Sequence, residues 1–594
     1  MMIGAGDRLK QAFMICFSLY LVLGMHFFMH NQGGAGLYLS FNTASWLFIP
    51  ILIGFGLWRV TQTKELVISR FHLLSWLFFL LLFIPLFYPN ADQRGFVFPR
   101  FLALAAGLLF YFALLQFRFS ASERRAGLYL ILVAVAIESA FGLVQYFLLT
   151  PDNWIGYNTL ANRPYGIFQQ RTVMASFLAS GMVVSLFLCS QLPGRKLALW
   201  QRLLHLFVIL AGACLLVVLQ SRTGQLGAVI GSLLLLPLAW RRSRRRTVTW
   251  VSVAVFGVLL GLASFYGISS DKRGELYYQP GVRSTIYQQT WQMMKEHPLL
   301  GVGYGGYERA FLDHYAKDLG RDPKEAQVLT LLDHPHNELM FWATEGGVIP
   351  ILGFVMLALA YLWMLRRGPW RQSLGLLGVL FPLLLHTQTE YPFYSSITHW
   401  ILFLVFLYMA DIRLGKIQGH LCRPVLLLRT LAILIPLLVV PFMLTTLHTN
   451  YIVTKYEREG YQQPMLLKKI INPIAWISQI EYDLNNLRLY HGLKTGDKKE
   501  LQAYYDWASH YVNHRPRSYL YYNMAVSLYH QDHPKRAEKL YQYARYLYSG
   551  DPKFAPPTLR QAIEIRKAEQ KARKEAKKAK LAGSVSLATS SSVR

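Results

Sequence analysis

The sequence is poor in cysteine. Its four cysteines lie in or beside apolar segments, and no two of them have C-x-x-C spacing: Cys16, Cys189, Cys214 and Cys422. A zinc knuckle needs cysteine pairs at such short spacing, and four cysteines scattered through apolar segments do not indicate a disulfide framework. The sequence therefore predicts neither, and we interpret the cysteines as small packing residues.

Acidic residues are also scarce, with 32 Asp plus Glu against 61 Lys plus Arg and a formal net charge of +29. In a soluble protein this excess would suggest a nucleic-acid partner. However, 53% of the residues are hydrophobic, 14% are aromatic and the mean hydropathy is +0.27, which would require an implausibly large soluble core. The composition favours a membrane protein, and no nucleic-acid partner is expected.

Apolar runs long enough to cross a bilayer recur through most of the first 450 residues. About thirteen such runs are present, centred near Leu21, Ile51, Phe79, Ala106, Val135, Leu178, Ile209, Leu233, Leu259, Leu352, Val379, Leu404 and Leu437. No small-residue cleavage site follows the first run, so we interpret it as a retained span. The predicted fold class is an all-α polytopic membrane protein.

Basic residues cluster in alternate loops, which predicts the orientation of the chain. The clusters are Arg8 and Lys10; Arg59, Lys64 and Arg70; Arg118, Arg124 and Arg125; Arg195, Lys196 and Arg202; RRSRRR from Arg241; Arg366, Arg367 and Arg371; and Arg413, Lys416 and Arg423. The positive-inside rule places these loops and the N-terminus in the cytoplasm. After an odd number of spans, everything beyond about residue 447 is then outside.

Three regions are predicted. Residues 1–447 form a membrane domain with a large external loop at 269–337. Residues 448–565 are polar, tyrosine-rich and helical, and they resemble a tetratricopeptide helix pair; this domain either binds a protein segment or caps the membrane domain. Residues 566–594 are predicted to be a basic, disordered tail, for which anionic membrane lipid is a simpler partner than nucleic acid.

The first outward loops contain three candidate binding residues. "NRPYGIFQQRTVMAS" supplies Arg163 and Gln170, and "QSRTGQLG" holds Arg222 at the membrane boundary. A charge at that depth is a candidate for function, although an arginine that snorkels to lipid phosphate is the alternative.

The long external loop contains "GVRSTIYQQTWQMMKEHPLLGVGYGGY". From Arg283, apolar residues at Ile286, Trp291, Met294 and Leu299 predict an amphipathic helix on the membrane interface. GVGYGG is not a nucleotide-binding fingerprint, because no strand precedes it. We expect a loop with a permissive backbone, in which Tyr304 is a possible lining residue.

The segment "LLDHPHNELMFW" contains His334, His336 and Asn337 before an apolar run. The two histidines are two positions apart, with a proline between them, unlike the helical pair of HExxH, so catalysis without a metal is favoured over a metal site. Asn337 is expected to be the N-cap of the next helix. A neutral His336 could then accept a proton from a hydroxyl, while His334 is either a hydrogen-bonded cap or a substrate-orienting group.

The last outward loop, "HTQTEYPFYSSITHW", supplies Glu390, Tyr391 and Tyr394. The tyrosines alone would be consistent with an interfacial aromatic belt. Glu390 is predicted to compensate Arg222 or Arg283, or to orient a substrate.

Three of these stretches, "QSRTGQLG", "GVRSTIYQQTWQMMKEHPLLGVGYGGY" and "HPHNELMFWATEGG", resemble a superfamily of polytopic bacterial enzymes in their order and spacing. It comprises the O-antigen ligases, the O-antigen polymerases and the protein O-oligosaccharyltransferases, or pilin glycosylation ligases. The resemblance covers about residues 160 to 410. "RPYGIFQQRT" is similar to the protein-ligase signature G-x-F-x-Q-x-N, but Thr172 stands where Asn is usual. In the pattern of the lipid A core ligases, Gly347 fits and Pro350 does not.

The resemblance implies transfer of a glycan from undecaprenyl diphosphate to a hydroxyl, on the periplasmic side of a Gram-negative inner membrane. The expected acceptor is a pilin-like or other periplasmic protein. Arg222 and Arg283 would bind the diphosphate, and His336 would be the base, oriented by Asn337 or Glu345. No cofactor or metal is expected.

Three alternatives remain. The acceptor could be another lipid-linked glycan, as for an O-antigen polymerase, or lipid A core. A glycolipid flippase or exporter is the alternative outside this enzyme class. A transporter predicts polar residues near the bilayer midplane and related repeats in the two halves, and neither is clear in the sequence.

Overall fold

The chain forms an all-α polytopic membrane fold, as predicted. The computed structural model describes residues 7–29, 31, 33–191, 197–268, 283–319, 332–569, 571–572 and 575. The helices of the membrane region are α1 (Arg8–Val22), α2 (Ser40–Thr63), α3 (Arg70–Phe83), α4 (Phe98–Gln116), α5 (Ala121–Phe147), α6 (Arg171–Gln191), α7 (Leu199–Val218), α8 (Arg222–Arg242), α9 (Arg244–Ile268), α10 (Arg283–Glu296), α11 (Tyr307–Leu319), α12 (Glu338–Gly346), α13 (Val348–Leu365), α14 (Trp370–Thr387), α15 (Ile397–Leu414) and α16 (Val425–Arg458).

Twelve helices in the described ranges are long and apolar enough to cross a membrane: α1 to α9, α13, α15 and α16. The remaining predicted span corresponds to α14, whose end turns carry Arg371, Gln372 and His386. Just before α14 begins, Gly368 packs on the side chain of Leu414, the last residue of α15. Helix α14 ends three residues before Glu390, which lies near the start of α15. It therefore traverses the same thickness as α15.

Helix α6 occupies the centre of the membrane domain, and nearly all of its side chains are buried. Its neighbour α8 crosses α14 closely at Gly231 and Gly378. A Cβ atom on Gly378 would lie 2.6 Å from the Gly231 carbonyl oxygen. The two glycines permit this approach because they have no side chains. Lipid provides little hydrophobic drive for helix association, so close packing of this kind stabilises the helix pair.

Two short strands identify one face of the membrane domain. Strands β1 (Glu65–Ser69) and β2 (Ile417–Leu421) pair antiparallel, with Glu65 opposite Leu421. Ser69 and Tyr111 both donate hydrogen bonds to the buried Asp411. We call this side the strand face and the opposite side, which carries residues 388–396, the Glu390 face.

The predicted basic clusters gather on the strand face. Arg118 pairs with Glu65 of β1 at 2.6 Å, Lys10 lies 3.4 Å from Glu123, and Arg413 bonds Gln191 at the end of α6. The alternation of basic loops read from the sequence therefore corresponds to one side of the helix bundle. The cluster members Arg195 and Lys196 lie outside the described residues.

The C-terminal region is a layer of helices: α17 (Ile477–Thr495), α18 (Lys498–Tyr511), α19 (Ser518–His530) and α20 (Pro534–Leu547). Consecutive helices pack as pairs around a core that includes Tyr504, Ala525 and Tyr541. Helix α16 continues without a break past residue 447 to Arg458. Helical backbone extends to residue 569, and most of the predicted tail at 566–594 lies outside the described residues.

The predicted amphipathic helix of the external loop is α10. Ile286 and Met293 are buried against α11 and α12, whereas Trp291 and Leu299 are exposed. Residues 269–282 and 320–331 of this loop lie outside the described residues. On its other side, α11 inserts Leu312 and Ala316 into the core of the C-terminal layer, so the loop joins the two regions.

Candidate active site

The Glu390 carboxylate is the centre of the candidate site. Its Oε2 lies 2.7 Å from Nδ1 of His336, and its Oε1 accepts a hydrogen bond from Nη2 of Arg283. The Glu390 side chain is 7% exposed, while those of His336 and Arg283 are 26% and 42% exposed. The carboxylate is therefore buried beneath two cationic or basic groups that still reach solvent.

Burial opposes ionisation of Glu390, but the neighbouring His334, the hydrogen bond from His336 and the charge of Arg283 outweigh it. The pKa of Glu390 therefore lies well below its ordinary value, and the group is a carboxylate at neutral pH. An ionised carboxylate can only accept, so the proton between Glu390 and His336 belongs to Nδ1 of the imidazole. Nε2 of His336 is left with the lone pair that a general base needs.

His334 lies beside this pair and is almost fully buried. Its Nδ1 is 2.5 Å from Oδ1 of Asp333, its Nε2 is 3.8 Å from Oε2 of Glu390, and its ring is packed against Tyr391. Burial lowers the pKa of His334, but the hydrogen bond with Asp333 and the charges of Asp333 and Glu390 more than offset this and raise it above its ordinary value. His334 is thus held between two carboxylates.

Local chain geometry aims His336 at Glu390. Asn337 is the N-cap of α12, as predicted: its Oδ1 accepts from the Met340 N–H, and its Nδ2 donates to the Gln388 carbonyl. Tyr287 of α10 donates to the His336 carbonyl at 3.2 Å. His336 itself has a φ of +56°, a left-handed conformation that is uncommon for a non-glycine residue.

Further arginines lie near the carboxylate or its loop. Arg171, the first residue of α6, interacts electrostatically with Arg163, Arg283 and Glu390. Arg222 is the exposed first residue of α8. The next residue, Thr223, donates to the Thr389 hydroxyl at 2.9 Å, which brings the start of α8 to the Glu390 loop. The site therefore concentrates positive charge at one membrane boundary.

Two buried side chains of α5 hold the loop that contains Arg163 and Gln170. The buried Glu138 accepts from the Ile167 N–H and lies 2.7 Å from Nδ1 of His26, and Gln145 accepts from the Gly166 N–H. These contacts fix the backbone just before α6. Gln170 directly precedes α6 and is half-buried.

The Glu345 carboxylate bonds groups other than His336. Its Oε2 accepts from Arg100 at 2.7 Å, and its Oε1 accepts from the Gly305 N–H at 3.0 Å. Glu345 thereby ties the GVGYGG loop to α4 and α12. Glu390, rather than Glu345, is the acid in contact with the His336 ring.

GVGYGG needs its glycines for backbone reasons, as predicted. Gly303 has a φ of +90°, and a Cβ there would lie 2.1 Å from the Asn90 carbonyl oxygen. Tyr304 between the glycines is 1% exposed, packs on Phe101 and Trp342, and donates to the Leu82 carbonyl. Tyr304 is a core residue of this loop and lies outside the Glu390 cluster.

Tyr394 lies between the Glu390 cluster and the ion pair of Arg100 with Glu345. Its ring packs at 5.4 Å from the Tyr391 ring and at 5.4 Å from the Arg100 guanidinium. Arg100 also lies over the ring of Phe341. Arg100 was not among the sequence candidates, although an arginine in the apolar run FPRFLALAAG is the kind of signal that could have identified it. Arg171 and Asp333 stood in the quoted motifs but were not selected.

The C-terminal layer reaches the edge of the site. His514 stacks on Phe96 and lies 3.1 Å from the Gly305 carbonyl oxygen, and Arg515 interacts electrostatically with Asp333. Arg309 of α11 donates to the hydroxyl groups of Tyr521 and Tyr543. The helical layer thus forms one rim of the Glu390 face.

Three family models match the chain. Residues 205–355 match the model described as O-antigen ligase, and residues 164–189 match that of protein glycosylation ligase. The chain belongs to the O-antigen ligase superfamily. Residues 374–560 match the C-terminal model of a virulence factor membrane-bound polymerase. No curated protein matches the chain.

The O-antigen ligase match contains Arg222, Arg283 and His336, while Glu390 lies in the polymerase match. These families indicate a glycosyl-transfer enzyme embedded in a membrane, with a lipid-linked sugar and an acceptor as its partners. In this superfamily member the candidate groups gather at the end of the spans, where an amphiphilic donor would present its sugar.

Proposed function

We propose that this superfamily member transfers an oligosaccharide from undecaprenyl diphosphate to Ser or Thr hydroxyls of pilin-like or other periplasmic proteins. The observation that carries the proposal is the Glu390 carboxylate, which joins the His336 imidazole to the Arg283 guanidinium at the membrane boundary. The base and the phosphate-binding group are thereby held side by side on one face.

In the proposed reaction, the acceptor hydroxyl oxygen attacks the anomeric carbon of the sugar. The bond from that carbon to the diphosphate oxygen breaks, and undecaprenyl diphosphate leaves with the electron pair. Nε2 of His336 takes the hydroxyl proton, while ionised Glu390 stabilises the imidazolium that forms. Arg222 and Arg283 neutralise the leaving diphosphate, because the guanidinium fork matches phosphate oxygens.

The remaining candidates have positioning roles in this proposal. Arg163, Gln170 and the neighbouring Arg171 lie on the side of α6 and contact the donor. Tyr391 and Tyr394 line the acceptor side next to His334. Asn337 holds the start of α12, and Glu345 holds the GVGYGG loop.

We place the enzyme in the inner membrane of a Gram-negative bacterium, with the strand face in the cytoplasm. The gathering of basic residues on the strand face supports this orientation through the positive-inside rule. The Glu390 face and the C-terminal helical domain, residues 448–565, are then periplasmic. That domain forms a rim where an acceptor protein could dock.

An O-antigen polymerase is the second candidate, favoured by the polymerase match over residues 374–560. Its acceptor would be another lipid-linked glycan. Co-expression with a lipid-linked glycan pathway and a pilin-like acceptor separates the two, and we expect a glycan mass shift on Ser or Thr. An unmodified acceptor, together with restored polysaccharide chain length in a polymerase-deficient strain, would replace the first proposal with the second.

A further inference from the structure

His334 has a ring nitrogen that the proposed reaction does not use. Its Nε2 is buried without a hydrogen-bond partner and faces Oε2 of Glu390 across 3.8 Å. The other nitrogen, Nδ1, is fixed by Asp333. A buried polar atom without a partner costs free energy, and a histidine fixed at one nitrogen by a carboxylate is the usual arrangement of a metal ligand.

We propose that His334, His336 and Glu390 form an inhibitory binding site for a divalent transition-metal cation such as Zn²⁺. One donor atom from each residue lies within 4.8 Å of the other two. Two ligands of a tetrahedral zinc ion lie about 3.4 Å apart, given zinc–ligand bonds of about 2.1 Å. The distances from Oε2 of Glu390 to the two histidines, 3.8 Å and 2.7 Å, bracket that value.

The remaining contacts of these residues allow the ion to enter. Arg283 bonds Oε1 of Glu390, so Oε2 can bind the metal once the proton on Nδ1 of His336 has left. Asp333 remains as the outer partner that orients His334. The side chain of His336 is 26% exposed, which leaves an open side for a water as fourth ligand.

The donor set determines which cation fits. Two imidazoles and one carboxylate suit Zn²⁺ and its neighbours in the first transition row, whereas Mg²⁺ prefers oxygen ligands. The nearby guanidinium groups of Arg283 and Arg171 repel any cation. We therefore expect reversible binding that is weaker than that of a structural zinc site.

Inhibition follows from the imidazole chemistry and rests on the proposed function. When Nδ1 of His336 binds the metal, the single N–H proton of the neutral imidazole moves from Nδ1 to Nε2. Nε2 then has no lone pair with which to accept the hydroxyl proton. Zn²⁺ should therefore block transfer without blocking access of the lipid donor.

The test uses the full chain in nanodiscs, purified without a histidine tag, and measures bound zinc by mass spectrometry after equilibrium dialysis against buffered Zn²⁺. We expect His334→Gln to lose one zinc equivalent and Asp333→Asn to bind about 10- to 100-fold more weakly. His420→Gln is the matched control, because His420 is exposed on β2 at the strand face. Excess Mg²⁺ should not displace the zinc.

X-ray absorption should give nitrogen or oxygen ligands at about 2.0 to 2.2 Å. Unchanged zinc content in both His334→Gln and Asp333→Asn, with each variant monodisperse, would overturn the site. Zinc binding that depends on these residues while transfer continues at full rate would support the site and instead contradict His336 as the base.

Discussion

At the scale of single residues, the site depends on one carboxylate that serves two partners. Glu390 fixes the tautomer of His336 through Oε2 and holds Arg283 through Oε1. The proposed base and the proposed phosphate-binding group are therefore coupled, because movement of either side chain disturbs the other. This coupling suits a reaction in which proton removal and departure of the diphosphate occur together.

Replacing His336 by alanine should lower the rate of glycan transfer about 10²- to 10⁴-fold, the usual contribution of a general base. Donor binding should remain measurable, since the arginines stay in place. Transfer and lipid binding are measured separately in reconstituted membranes. His297→Ala in the same loop is the control, because His297 is exposed beyond α10; an equal loss of binding and turnover in His336→Ala would make it a docking residue.

Arg222→Ala should weaken donor binding. Hydrogen bonds to charged groups contribute about 1.5–3 kcal/mol, or roughly 10- to 100-fold in affinity. Arg222→Lys should recover only part of this, because an ammonium lacks the guanidinium fork. Titration with a lipid diphosphate measures the effect, with exposed Lys295→Ala as the control. Unchanged affinity would support the snorkelling interpretation.

At the scale of elements, helix α12 begins with a buried acid whose ionisation should destabilise the fold. Burial outweighs the charges of Arg100 and His334 and raises the pKa of Glu338 from about 4.5 to about 7. The folded chain therefore binds this proton more tightly than the unfolded chain does. Stability falls as pH rises through this window and then levels off above pH 7.

Glu338→Gln should therefore raise the apparent melting temperature at pH 8 and have little effect near pH 4.5. A shift of this size corresponds to about 1–3 kcal/mol of stability at most. Melting followed by intrinsic fluorescence across this pH range measures it. An equal effect at both pH values would show that the substitution acts through packing and not through ionisation.

The GVGYGG loop should not tolerate a side chain at Gly303. Gly303→Ala introduces a Cβ 2.1 Å from the Asn90 carbonyl oxygen at a φ of +90°, and the strain should cost about 1–3 kcal/mol. Gly95→Ala is the control, because no atom lies within 4 Å of a Cβ there. Lower thermal stability of the first variant alone is expected, and matching melting curves for the two would contradict this role for Gly303.

The sequence predicted the helices and the individual polar residues better than the contacts between them. Hydropathy located the twelve described helices that are long and apolar enough to cross a membrane, and it also located α14, whose polar end turns make it less apolar. His336, Arg283 and Glu390 were each recognised as unusual polar residues in outward loops. That Glu390 joins the other two depends on the packing of loops 54 and 107 residues apart in sequence, which no local pattern contains. Tyr304 illustrates the same limit, because only packing places it in a core.

At the scale of the whole molecule, the helical layer and the membrane domain share the Glu390 face. Helix α11 packs its apolar side into the C-terminal core, and the turn between α18 and α19 reaches the GVGYGG loop through His514. An acceptor protein that binds the helical layer would therefore be delivered beside His336. The charges of Arg515 and Asp333 lie on the same rim.

The orientation of the whole chain is the prediction on which the proposed chemistry depends. Single cysteines are introduced at Leu160, which is 84% exposed in the loop before α6, and at Leu421, which is 77% exposed on β2. The unsubstituted chain is the background, since its cysteines are buried or half-buried. In intact spheroplasts, a membrane-impermeant maleimide should label Leu160→Cys, whereas Leu421→Cys should react only after lysis. The reverse pattern would put the Glu390 carboxylate in the cytoplasm, where a periplasmic acceptor could not reach His336.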